Sequence, residues 1–139
     1  MAVLLITTVL TSRQIILLRK SHYIPIVDLI TEFRFREFYD EVIYVTDRLR
    51  SECDPALGIS GLPESARSSL LDVAYYFQAF AWFFELGVLR EKHLRVVASR
   101  IVLTWEAIQP YVETERKATK GPVLVVLERG YEALTARGA

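Results

Sequence analysis

Three charged residues stand where chemistry or a buried polar contact would most readily arise: Glu85, Arg100 and Glu106. Each flanks or interrupts an apolar stretch of helical periodicity. Buried together, an arginine and a carboxylate would fix the register of two helices, and losing one partner would strand a charge. Arranged around a concavity, the same three groups could hold a polar ligand or serve a small enzyme. Exposed, each is an ordinary solvated charge. Other chemistry-bearing residue types are sparse. His22 and His93 are far apart and follow no metal-ligand spacing. The serines near Leu70 and Arg100 lack the sharp elbow that exposes a nucleophile. No glycine-rich phosphate loop occurs. The single cysteine, Cys53, excludes an internal disulfide and any multi-cysteine metal site, and it fits a reducing compartment. These residues imply no cofactor and no metal, and they name no reaction.

Whatever positions such groups is helical. The stretch 70–89, LLDVAYYFQAFAWFFELGVL, carries one clearly polar group, Gln78, between Val73 and Phe84. A helix apolar on nearly all sides must be enclosed by protein or lipid. Its apolar run of about 12 residues spans roughly 18 Å, too short for roughly 30 Å of hydrocarbon. It is therefore expected as the central helix of an all-α core, over residues 63–86. Gly87 is placed to end it, with Val88 making the contact that follows such a cap. A second helix over 91–112 completes an antiparallel hairpin, burying Leu94, Val97, Ala98, Ile101, Trp105, Ile108 and Val112. Pro110 is expected to kink or end it.

Elsewhere the signals are more local. Residues 1–20 are largely apolar but interrupted by Arg13 and closed by Arg19 and Lys20. They lack the basic start and cleavage site of a signal peptide. Two readings stand: an amphipathic helix docked on the core, or the inner end of a transmembrane helix that begins outside this sequence, with the three cations marking the cytoplasmic side. Pro25 fits the first turn of a second helix. A third, within residues 36–52, would bury Phe38, Val42, Val45 and Leu49. The segment 53–63, CDPALGISGLP, reads as a connecting loop, with Ser60 or a neighbour capping the next helix. Glu113, Glu115, Arg116, Lys117 and Lys120 read as a mixed, solvated run. Gly121–Pro122 breaks it, and 122–135 is expected as a terminal helix with Gly130 as its weak point.

Composition narrows the function classes. The 139 residues carry 17 basic and 17 acidic side chains, so no global field favours nucleic acid. Hydrophobic residues make up 52% and the mean hydropathy is +0.24, apolar enough to suggest an interface or a membrane stub. The aromatic residues of 75–84 cannot all face one neighbouring helix. Tyr76, Phe80, Trp82 and Phe83 are candidate anchors of a homo-oligomer interface.

Three segments carry a resemblance: SRQIILLRKSHYIPIVDLITEFRFREFYDEVIYV, DPALGISGLPESARSSLLDVAYYFQAFAWFFELGVL and IVLTWEAIQPYVETER. Together they resemble the uncharacterised bacterial family known as domain of unknown function 4760, over residues 12–116. The FFELGVL turn and the helix end with Trp105, Glu106, Pro110, Tyr111 and Arg116 are its most specific features. The resemblance implies one N-terminal transmembrane helix followed by a small helical cytoplasmic domain, and no catalytic residues. It favours the anchor reading of residues 1–20, although the chain lacks a full-length span.

The resulting expectation is an all-α fold of about five helices around the central hairpin. Residues 1–20 form an apolar helix or anchor, and 21–139 form the helical domain. Functionally, it is a non-enzymatic interaction module at the cytoplasmic side of a membrane, or in the cytoplasm, that self-associates. The alternative is a small-molecule-binding domain or small enzyme with an inter-helix pocket.

Overall fold

A computed structural model describes residues 36–89 and 91–136, without the side chains of 91–94 and 96. All of these fall in the second of two units, Phe35–Ala139. The expectations for residues 1–35, including the anchor and the helix after Pro25, lie outside the described residues, as does His93's side chain. Among the described residues there are four joined helices and no strand.

Helix α1 covers residues 36–52 as Arg36–Ile43, a π-helical turn Tyr44–Arg48, and Leu49–Glu52. Val42, Val45 and Leu49 are buried as their spacing predicts, while Phe38 is half-buried. In the wide turn the Leu49 N–H bonds the Tyr44 carbonyl five residues back. The Thr46 hydroxyl donates to the Val42 carbonyl at 3.0 Å.

Helix α2, Glu64–Glu85, is the centre of the unit and touches each of the other three helices. This explains its composition: the buried face is wide, running from Ala74 on one flank through Leu70, Phe77 and Ala81 to Tyr76 on the other. Its C-terminus closes as expected. The Gly87 N–H bonds the Phe84 carbonyl at 3.0 Å and the Val88 N–H bonds Phe83 at 2.9 Å, with Gly87 at φ 70°. The N-terminus departs from expectation. Pro63 takes the cap position and has no side-chain oxygen to offer the first turn, while Ser60, three residues earlier, bonds Glu115 instead.

Helix α3, Glu91–Thr119, does not end at Pro110 but continues beyond it for two more turns. The proline removes only one donor, to a carbonyl on exposed Glu106, where water can replace it. Beyond it Tyr111, Val112 and Glu115 are buried, which holds those turns in place. Helix α4, Val125–Thr135, confirms helix over strand for the tail. It packs on α2 and α3. Gly130 is the contact point of that packing and no weak point: a Cβ there would lie 2.7 Å from the Ala81 Cβ. No helix among the described residues is long and apolar enough to cross a membrane.

Candidate functional site

The charged residues singled out by sequence do not converge. Glu85 lies at the exposed end of α2 and forms a two-bond pair with Arg129 of α4, at 2.8 and 3.0 Å. Arg100 is half-buried, its guanidinium 5.8 Å from the Tyr39 ring centre. Glu106 is exposed. Among the described residues, the most sheltered arginine–carboxylate contact between helices lies elsewhere, half-buried rather than buried, at Arg116. Its guanidinium donates to both Glu128 oxygens, at 3.2 and 2.8 Å, and twice to the Val123 carbonyl. It also lies 5.8 Å from the Trp105 ring. This one residue ties α3 to the turn before α4, where Leu124 takes a left-handed conformation at φ 52°.

A second polar knot holds the 53–63 loop. Glu115 is 8% exposed and accepts the Ser60 N–H at 2.9 Å and the Ser60 hydroxyl at 2.5 Å. These two bonds hold its carboxyl below the usual glutamate range, against the opposing effect of burial. Gly58, at φ 65°, leaves room for that carboxylate. Glu115 and Arg116 do not belong to a solvated run. Spacing alone could have revealed Glu115, because it continues the buried series Ile108, Tyr111 and Val112 by one turn.

Close by, the fully buried Tyr111 donates its hydroxyl to the Cys53 carbonyl at 2.7 Å, with the Leu49 carbonyl at 3.3 Å. It caps the end of α1. Burial pushes both the Tyr111 and Tyr44 phenols up, with Cys53 as the next cause. Tyr111→Phe should cost about 1–2 kcal/mol, because the Cys53 carbonyl is left without its donor. The urea midpoint should fall with an unchanged slope.

The surface with unmet potential is apolar. Of the four proposed interface aromatics, Tyr76 and Phe80 are only 8% and 2% exposed. They belong to the core. Tyr76 packs edge-on to Phe77 and Phe80, with Phe38 at 4.4 Å. Phe83 is half-buried. Trp82 alone among the four is open, at 56%. Tyr75, also 56%, and Leu86, 59%, lie one turn or two away on the same face. With Gln78, Ala79 and Val126 of α4, Tyr75 and Trp82 line an open groove of about 260 Å³. Gln78 was the signal for this face. It is the polar residue of the run, and its helical neighbours at three and four residues are Tyr75 and Trp82.

Among the described residues, no group of three His, Cys, Asp or Glu side chains is placed to hold a metal ion. The arrangement offers adhesion and structural polar contacts. A protein-family model described as domain of unknown function (DUF4760) matches residues 5–136. No curated protein and no solved structure gives a significant match.

Proposed function

The chain belongs to the DUF4760 family, and on that premise we propose that it is a non-enzymatic helical interaction module that self-associates at the cytoplasmic face of a bacterial membrane. The observation that carries the reading is the open stripe on α2. Tyr75, Trp82 and Leu86 each keep more than half of their surface in water, on the helix that packs against the other three. Exposed aromatic area in a contiguous row is costly, and covering it supplies binding energy. Trp and Tyr are also the residue types that dominate interface energetics. Residues 1–20 supply the proposed tether, through their apolar stretch and the cations Arg13, Arg19 and Lys20.

Liposome flotation with and without residues 1–20, combined with light-scattering mass of both forms, tests the reading. The longer form should float and the shorter should not, and both should exceed monomer mass. Flotation of neither form would remove the tether. Monomer mass at all concentrations would remove self-association.

A further inference from the structure

The stripe on α2 has an internal symmetry that identifies its occupant. The half-buried Leu71 and the open Tyr75, Trp82 and Leu86 follow one another along one helix face at intervals of four, seven and four residues, which read the same in both directions, with Gln78 inside the central interval. A two-fold axis running beside α2, perpendicular to it and level with the Gln78–Ala79 bond, sets Tyr75 opposite the partner's Trp82. The same axis sets Leu71 opposite the partner's Leu86. Every apolar residue of the row then meets another, and the two Gln78 amides meet near the axis. We propose that a second copy of this chain occupies the stripe, its α2 lying antiparallel to the first about this axis. This rests on the self-association reading above and gives it a geometry.

Three further observations favour this occupant. An isologous contact needs one patch to supply both the projecting part and the recess. Here the half-open Trp82 projects, and the groove between Tyr75, Ala79 and Val126 recedes beside it. Ala79, at the centre, is small enough to let two helices approach. The flanks are acidic or neutralised, with Asp72 exposed on one side and Glu85 already paired to Arg129 on the other. An anionic bilayer is therefore a poor occupant. Antiparallel alignment also opposes the two helix dipoles, which a parallel pair would not.

The open area is roughly 500 Å² per copy, judged from the usual size of such side chains. That lies just under the roughly 600 Å² per partner of the smallest specific interfaces. The dimer should therefore be reversible and concentration-dependent.

A spin label at Ser68→Cys in the full chain distinguishes the arrangements. Ser68 is exposed on α2, one to two turns before Tyr75. At about 1.5 Å rise per residue, antiparallel pairing separates the two labels by about 30 Å, and in-register parallel pairing by about 10 Å. Cys53 is buried and should take no label under native conditions, with Cys53→Ala available should it react. A dimer with a distance near 30 Å supports the pairing. A dimer with a distance near 10 Å, or with none in range, overturns it while leaving self-association intact. Monomer mass throughout overturns both. Ala79→Glu, which sets like charges across the axis, should weaken the dimer at least tenfold with helix content unchanged. An unaltered dimer would likewise overturn the pairing.

Discussion

Replacing Glu115 with alanine should destabilise the fold by about 3 kcal/mol and lower the urea midpoint by about 2 M. Its carboxylate serves two donors on Ser60, 55 residues earlier, and is almost wholly buried. Hydrogen bonds to a charged group contribute about 1.5–3 kcal/mol each. Their loss also frees the Ser60 end of the 53–63 loop, leaving the Tyr111 bond to the Cys53 carbonyl at its other end. Glu115→Gln is the informative control. The amide can accept from the Ser60 N–H and donate to its hydroxyl, so the geometry survives without the charge. Its cost should be about 1 kcal/mol.

The same carboxylate carries a pH signature. Its folded value lies below the ordinary glutamate value because Ser60 bonds the charged form. Its stabilising contribution is therefore full above the unfolded value of about 4.3 and is lost as pH falls through the folded value. Glu41 shifts the opposite way, raised by burial and then by Asp72 and Glu37. Comparing the parent with Glu115→Gln cancels that second contribution. The difference in unfolding free energy should be constant from pH 6 to 8 and should shrink below about pH 4.3. A difference independent of pH would mean that Ser60 does not bind the charged form.

Helices were legible wherever periodicity and punctuation agreed. The α2 boundaries, the Gly87 cap and the burial of Ile101, Trp105, Ile108 and Val112 on α3 followed from apolar spacing and one glycine, while Val97 and Ala98 of the same series are half-buried and the Leu94 side chain lies outside the described residues. Three kinds of residue were not legible. Pro110 has strong local meaning, yet burial of the turns beyond it outweighs one lost donor. The partners of Glu115 and Arg116 are the second kind: spacing puts Glu115 on the buried face, but Ser60 and Glu128 lie 55 and 12 residues away. The α2 aromatics were recognised as a group but divided wrongly. Neighbouring rings point to different sides, so Tyr76 is core and Tyr75 is surface. On a helix whose open face is also aromatic, hydrophobicity no longer distinguishes the faces. Gln78 was the residue that did.

Gly130→Val should be the most damaging single change outside the large core side chains, costing about 4 kcal/mol. The cause is a shared surface with Ala81. A Cβ at 130 would sit 2.7 Å from that of Ala81, while carbon atoms prefer about 3.5–4 Å. Ala81 is fully buried one turn before the end of α2, so neither helix can yield without moving its other contacts. Those contacts lie on both sides of the glycine: Arg129 grips Glu85, and Tyr131 stands 6.3 Å from Trp105. Gly130→Ala poses two effects against each other. Alanine favours the helix by about 1 kcal/mol, whereas the overlap costs about 3, so a net loss of about 2 kcal/mol is expected. The double variant Ala81→Gly with Gly130→Ala moves the methyl from α2 to α4 and removes the overlap. It should recover most of the Gly130→Ala loss, with a coupling of at least about 1 kcal/mol between the two positions in thermal or urea unfolding. Additive losses would show that the helices do not meet at this point. If they do meet there, the close approach also fixes where Val126 stands beside Trp82, so the residue that seemed to weaken the last helix sets the width of the groove on α2.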